Sequence, residues 1–298
     1  MATYETALDQ FVNVNGINFA FRRLGRPLGV PLVMLMHFRG TMDHWDPALV
    51  NPIAAQRPVI LIDNAGVGRS DGEVPKTFAG WAQHYIDVVR ALGIARADFL
   101  GFSMGGCAAQ MVALKAPGLV RSLILCGTVP SAGRGVTQAP LDAFNQFKAA
   151  TTLDEQREAF LATFFTGSPR SRAAGRASWE RITKARPARA SYVSGESARR
   201  QGIAFAKFMD PKQAADASYD RFDELKLPVL IANGSNDMVL PTENSILMWK
   251  KLSHANAQLH LYPDAGHGFL YQWAGAFAAL INDFLDCAAS QDAGVSKL

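Results

Sequence analysis

A serine bracketed by glycines is the first place in this 298-residue chain where residue spacing implies chemistry. The run Leu100-Gly101-Phe102-Ser103-Met104-Gly105-Gly106 follows the apolar stretch 97–100 and precedes the small-residue run 107–116. Strand, tight turn and helix in that order force the central residue into a strained conformation and lift its hydroxyl clear of the sheet. A Cβ at Gly101 or Gly105 would collide with the neighbouring strand or helix. The helix opening at Met104 has N–H groups without intrahelical acceptors, and they converge where an oxyanion would form.

A serine that attacks a carbonyl needs a base, a group that orients the base, and oxyanion donors. His267 lies in Pro263-Asp264-Ala265-Gly266-His267-Gly268, directly after an apolar-polar run ending at Tyr262, and its flanking glycines let a tight loop project the imidazole. Asp237 follows the buried-looking run Val229-Leu230-Ile231-Ala232, where an orienting acid belongs. Asp264 is expected to tighten the histidine loop. His254, His260 and His84 fall at a helix end, in a strand and in a helix, as structural or solvated residues. No acid occupies 127–130, after the preceding strand.

The elements that must position these residues follow from hydrophobic periodicity. Alternating runs flank Asn15-Gly16, a hairpin signal because both turn residues need positive φ. Continuous apolar runs at 31–36, 59–62, 99–102, 122–126 and 229–232 then read as parallel strands buried on both faces. Helical patterns separate them at 47–56, 77–92, 104–116 and 243–252, and a last strand at 258–262 precedes a last helix at 271–288. The stretch 131–223 has helical patterns at 141–149, 153–165, 172–185 and 191–209 but no comparable strand, and is too long for a connection. The expected organisation is an α/β core over 1–130 and 224–290, a helical cap over 131–223 and a flexible tail over 291–298.

Composition narrows the function. Hydrophobic residues make up 49% of the chain, enough for a full core, and no run of about 18 apolar residues suits a membrane span. The N-terminal residues lack a basic and apolar signal segment. Cys107, Cys126 and Cys287 are widely spaced and without C-x-x-C pairs, so they read as small buried residues of a reducing compartment. No metal-ligand pair, dinucleotide loop or Walker motif is present, so no cofactor or metal is expected. The net charge of +4 is unevenly placed. Between Arg170 and Arg200 nine basic and two acidic residues give +7, leaving the rest at −3. That stretch has no nucleic-acid motif, but its sign would suit steering of an anionic ligand.

Over nearly its whole length the chain resembles the α/β-hydrolase superfamily. The resemblance is carried by His37-Phe38-Arg39-Gly40, by Asp63-Asn64-Ala65-Gly66-Val67-Gly68-Arg69-Ser70, by the Ser103 turn, by Gly234-Ser235-Asn236-Asp237 and by Ala265-Gly266-His267. The chain order Ser, Asp, His, each at a strand end, is that family's arrangement. The resemblance implies a doubly wound, mostly parallel sheet with an inserted helical cap and a catalytic triad of Ser103, Asp237 and His267. It places the oxyanion between the N–H of Met104 and a second donor in the loop after the first buried strand. That loop usually reads His-Gly-x with the donor third. Here Arg39 holds the third position and Phe38 replaces the glycine, which leaves the second donor open between Arg39 and Phe38 and narrows the pocket. His37 is expected to brace this loop, 63–70 to act as scaffold, and the Arg39 side chain either to brace the loop or to clamp a substrate anion.

The expected function is cofactor-independent hydrolysis of a small or medium apolar ester, lactone or thioester through an acyl-enzyme. Serine at 103 excludes the aspartate-nucleophile chemistry of dehalogenases and epoxide hydrolases. Rival readings are carbon–carbon bond hydrolysis or lyase chemistry on the same triad, a ligand-sensing protein signalling through the cap, and a fungal secondary-metabolism hydrolase. The last resembles the combination of this fold with Ser296-Lys297-Leu298, a peroxisomal address in eukaryotes. The expected location is therefore peroxisomal, through the import receptor, in a eukaryote and cytoplasmic otherwise. Deleting 296–298 should leave hydrolysis unchanged and move a fluorescent fusion from puncta to cytosol in a eukaryotic cell. An intact fusion already in the cytosol would rule the address out.

Overall fold

The computed structural model describes residues 1–138, 140, 145, 147–213 and 217–295, with side chains described through 290. Strands β1 (Gln10–Val14) and β2 (Ile17–Gly25) form the expected hairpin, with φ of 52° at Asn15 and 81° at Gly16. The next strands are β3 (Leu32–Leu35), β4 (Pro58–Ile62), β5 (Ala97–Phe102), β6 (Val120–Cys126), β7 (Val229–Gly234) and β8 (Gln258–Tyr262). They complete one eight-stranded sheet in the order β1-β2-β4-β3-β5-β6-β7-β8. Pairing is antiparallel from β1 to β4 and parallel from β4 to β8. Strands β3, β5, β6 and β7 are buried throughout, as uninterrupted apolar runs between two helical layers must be. Edge strand β8 alternates in exposure.

Helices α1 (Pro47–Ala54), α2 (Phe78–Ala91) and α3 (Met104–Lys115) cover the sheet. The Asp46 carboxylate caps α1 by accepting from Ala48 N at 2.9 Å, with Pro47 in the first turn, where its missing N–H costs nothing. Helix α3 is buried at every residue from Met104 to Leu114. Its side chains are small or slender because the helix is pressed between α2 and strands β3, β5 and β6.

Between β6 and β7 lie α4 (Leu153–Phe164), α5 (Pro169–Lys184) and α6 (Gly195–Phe208), packed over the carboxyl edge of the sheet. The helix expected at 141–149 falls largely outside the described residues, although 147–149 are helical. Arginines join these helices to the core. Arg181 reaches Asp46 at 2.7 Å, and Ser178 Oγ donates to the same carboxylate at 2.7 Å. Arg186 donates to the carbonyls of Tyr4, Glu5 and Ala7 at 2.9–3.0 Å. Arg200 donates to the carbonyl of Val74 at 2.6 Å. These members of the basic stretch are therefore cross-links from cap to core, which corrects the expectation of a free field for steering anions. Charge separation along the chain serves assembly here: cap arginines meet core carboxylates and carbonyls.

The remaining helices are α7 (Thr242–Lys251), α8 (Phe269–Gln272) and α9 (Ala274–Val295). The single last helix expected at 271–288 is thus two, broken at Trp273, and the second runs further than expected. Residues 291–295 are helical where a flexible tail was expected, because Ala289 to Ala293 contains no proline or glycine to stop α9. Ser296, Lys297 and Leu298 lie outside the described residues. Cys107 and Cys126 are buried as expected, but Cys287 is exposed, on the outward face of α9 beside Asp286.

Every parallel strand delivers its carboxyl end to the edge under the cap, so the loops after β3, β5, β7 and β8 meet there. The tightest part of this arrangement is the packing of α3. A Cβ on Gly101 would lie 2.3 Å from the carbonyl oxygen of Gly105, and one on Gly105 would lie 2.2 Å from that of Leu35. Gly105→Ala should therefore destabilise the protein by about 3 kcal/mol or more, because backbone must move. Gly118→Ala, with nothing within 4 Å, should change stability by roughly 0.5 kcal/mol or less. Denaturant unfolding of the two variants checks the contrast.

Candidate active site

Ser103 is held at φ 58° and ψ −122°, a region that a side-chain-bearing residue rarely occupies. Three hydrogen bonds fix its backbone. Its N–H donates to Cys126 O at 2.9 Å, and its carbonyl accepts from Gly106 N at 2.8 Å and Thr128 Oγ1 at 2.7 Å. The same turn starts α3, so the N–H of Met104 stands in the first turn beside the hydroxyl.

Asp237 and His267 come together from the loops after β7 and β8. His267 Nδ1 and Asp237 Oδ2 are 2.8 Å apart. Asp237 Oδ1 accepts from the N–H groups of Val239 at 2.8 Å and Leu240 at 3.0 Å. Both carboxylate oxygens are therefore engaged, and the acid is buried and immobile. A carboxylate acceptor at Nδ1 places the imidazole proton there and leaves Nε2 with its lone pair when the ring is neutral. Gly127 makes room for this pair: a Cβ there would lie 3.3 Å from His267 Nδ1 and 3.4 Å from Asp237 Oδ2. Its place on the intervening strand end explains the missing acid at 127–130.

Ser103 and His267 line one small cavity of about 20 Å³, shared with His37, Phe38, Phe147, Thr163, Phe164 and Val239. A second cavity of about 590 Å³ shares Phe38 with the first and is lined by Met104, by Ile203 and Phe205 of α6 with Met209 just beyond it, and by Gln138, Asn145, Lys148 and Arg199. The structure thus brings Ser103, His267, Met104 and Phe38 to one place.

Arg39 behaves differently. Its N–H donates to Gln201 Oε1 at 2.9 Å. Its guanidinium donates to the carbonyls of Val193 at 2.6 Å, Lys148 and Ala150 at 3.1 Å, and Phe147. The Arg39 carbonyl accepts from Val193 N at 2.8 Å. The side chain clamps the cap, and the anion-clamp alternative is corrected: its donors already face carbonyl oxygens. Asp264 is likewise drawn to the cap, accepting from Thr166 Oγ1 at 2.8 Å and Ser168 Oγ at 2.6 Å, while Gln272 Nε2 donates to its carbonyl at 2.8 Å. Its carboxylate joins the histidine loop to α5 and so does more than tighten that loop.

His37 braces the oxyanion loop by donating from Nδ1 to Phe38 O at 2.8 Å. Its ring stands edge-on to Phe102 and Phe164 at 5.3 and 5.1 Å, and Nε2 has no hydrogen-bond partner among the described residues. Burial pushes its pKa down to about 3; the Phe38 bond works the other way, and the charge of a protonated His267 lowers it further. Asp63 supports the same loop by accepting from Met42 N at 2.7 Å and Arg69 N at 3.2 Å, with its pKa raised to about 7 by burial. Of the other histidines, His254 Nε2 meets Leu225 O at 3.1 Å, His84 Nδ1 meets Asn64 Oδ1 at 3.0 Å, and His260 packs against Tyr262.

Residues 30–272 match the model of the alpha/beta hydrolase fold family. The chain belongs to that family. Among curated relatives, this α/β hydrolase is 29% identical over 264 residues to 2-hydroxymuconate semialdehyde hydrolase of Pseudomonas sp. (strain CF600), covering 86% of this chain and 87% of that one. It is 27% identical over 294 residues to 2-hydroxy-6-oxononadienedioate/2-hydroxy-6-oxononatrienedioate hydrolase of Escherichia coli (strain K12), covering 94% and 96%. Among solved structures, an alpha/beta hydrolase fold protein from Chitinophaga pinensis superposes with a TM-score of 0.86 at 32% identity, covering 96% of this chain and 99% of that one.

Sequence reasoning missed Gly127, Phe147 and Gln201, none of which sits in a motif.

The buried neutral His37 generates a stability prediction. In the unfolded chain its ring takes a proton near 6.5, whereas in the fold it resists protonation down to about 3. The unfolded state binds more protons between those values, so His37 removes stability as pH falls through that window. Relative to His37→Asn, the wild-type protein should therefore lose about 1 kcal/mol per pH unit between pH 6 and 5. Parallel denaturant titrations measure it, and a constant difference across this range would contradict a neutral His37.

Proposed function

We propose that the protein is a serine hydrolase that cleaves a carboxylic ester, lactone or thioester through an acyl-enzyme. Ser103 Oγ attacks the carbonyl while His267 Nε2 takes its proton, and Asp237 holds the imidazole in the Nδ1–H tautomer and stabilises its charged form. The N–H of Met104 and a second N–H from the loop at 38–39 receive the oxyanion. Collapse of the tetrahedral intermediate breaks the bond to the leaving group, and His267 returns the proton to the departing oxygen or sulfur. Water then enters and its oxygen attacks the acyl carbon while His267 takes its proton; collapse of the second tetrahedral intermediate breaks the bond to Ser103 Oγ, which takes that proton back from His267 as the acid leaves. Each proton and charge has a side chain or amide to receive it, so the sequence of steps needs no cofactor.

The observation that carries this reading is the buried 2.8 Å His267–Asp237 pair opening, together with the strained Ser103, into one small chamber. A second reading, hydrolysis of a carbon–carbon bond by the same residues, is favoured by the semialdehyde and dienedioate hydrolases among the relatives. The described lining of the small chamber has no lysine or arginine; Lys148 and Arg199 line the large cavity instead and would be the partners of that substrate's carboxylate.

With a methyl ester as substrate, Ser103→Ala and His267→Ala should each lower kcat by on the order of 10⁴-fold or more. Asp237→Asn should cost on the order of 10³- to 10⁴-fold, because an amide favours the wrong tautomer. Full activity in Ser103→Ala would end the proposal. Turnover of a 2-hydroxy-6-oxo-dienoate with no ester turned over would move the second reading to first.

A further inference from the structure

The two cavities differ about thirty-fold in volume and meet at Phe38. The small one has room for roughly one water-sized group. Its roof is aromatic and braced. Phe147 stacks on Phe164 at 5.6 Å, and Phe164 stands edge-on to both His267 and His37, at 5.3 and 5.1 Å. Gly268 N donates to Phe164 O at 2.7 Å, so the end of α4 is bonded to the histidine loop itself. Enlarging this chamber means separating packed rings and breaking that hydrogen bond. The large cavity has a different wall, mostly apolar through Ile203 and Phe205 of α6 and Met209 beyond it, with Lys148 and Arg199 as its charged members. Ile203, Phe205 and Met209 are half-buried and apolar, and Met104 connects the cavity to the oxyanion site.

The two halves of an ester make unequal demands on a catalytic histidine. The imidazole that takes the serine proton must also reach the leaving-group oxygen. The leaving group therefore lies in the chamber that His267 lines. The acyl substituent sits on the opposite side of the carbonyl and needs no contact with His267. The only demand on it is that the carbonyl oxygen meet the donor at Met104, which lines the large cavity.

We infer that this enzyme takes esters of bulky, largely apolar acids with a leaving group about the size of methoxide. The inference rests on the ester-hydrolase reading above and adds which half of the ester goes where. The chamber that fits the small leaving group also fits the water that later releases the acid, since both use His267 from the same side.

Methyl nonanoate and octyl acetate test this, because they are isomers that differ only in which side of the ester carries the long chain. The enzyme should show kcat/KM at least about 10-fold higher for methyl nonanoate, the scale on which a closed pocket rejects excess methylenes. Phe164→Leu, which shortens the roof without emptying it, should shift the ratio toward octyl acetate. Phe147→Leu, on the other roof ring, should do the same if the first variant fails to fold. Ile203→Trp should raise KM for methyl nonanoate more than for methyl acetate. Equal turnover of the isomers, or preference for octyl acetate, would overturn the inference while leaving Ser103 as nucleophile. Ester turnover that survives Ser103→Ala would overturn the reading beneath it. Turnover of neither isomer would overturn both.

Discussion

Less than a methyl group's worth of space separates α3 from the strands it packs on, and the rest of the site depends on that closeness. With Gly101 and Gly105 bare, the chain turns so sharply that Ser103 must adopt a positive φ. Such a conformation costs about 1–3 kcal/mol and persists only where the surroundings over-determine it. Here bonds from Cys126, Thr128 and Gly106 and the buried packing of α3 do so. The same turn sets the hydroxyl at the sheet edge and the start of a helix beside it. In the proposed mechanism nucleophile and oxyanion donor are therefore one local structure, and they move together or not at all.

Arg39 extends the same logic to the cap. It holds φ 62° in the oxyanion loop, where glycine would be the unstrained choice. An arginine there gains four side-chain hydrogen bonds to cap carbonyls, and its own carbonyl accepts from Val193 N. Charge-assisted bonds of this kind are about twice as strong as neutral ones, enough to offset the backbone strain. The loop that presents Phe38 is consequently tied to the roof over the serine. Arg181 and Arg186 repeat the pattern at the cap's flank, reaching Asp46 and the N-terminal carbonyls.

What was legible in the sequence was what depends on short-range pattern. The strands announce themselves as apolar runs, and Ser103, Asp237 and His267 each follow one, so their meeting at the sheet edge could be read from order and spacing. The volume around them could not. Phe147 and Phe164 become the roof through ring contacts with residues up to about 120 positions away, among them His37 and His267. Gly127 looks like any turn glycine until the His267–Asp237 pair is placed beside it. The basic stretch misled for a related reason: net charge counts side chains but not the carboxylates and carbonyls that the fold brings to them. The last helix outran its expected end because 289–293 holds no proline or glycine to stop it.

The account stands on a covalent bond between Ser103 and the acyl group. Rapid acid quench of the enzyme with a methyl ester, followed by mass spectrometry of the peptide containing Ser103, looks for that bond directly. The account predicts an adduct of the acyl mass on Ser103 within the first turnover, absent from Ser103→Ala and longer-lived in Asp237→Asn. Turnover in which no acyl adduct forms on Ser103 at any quench time would contradict it.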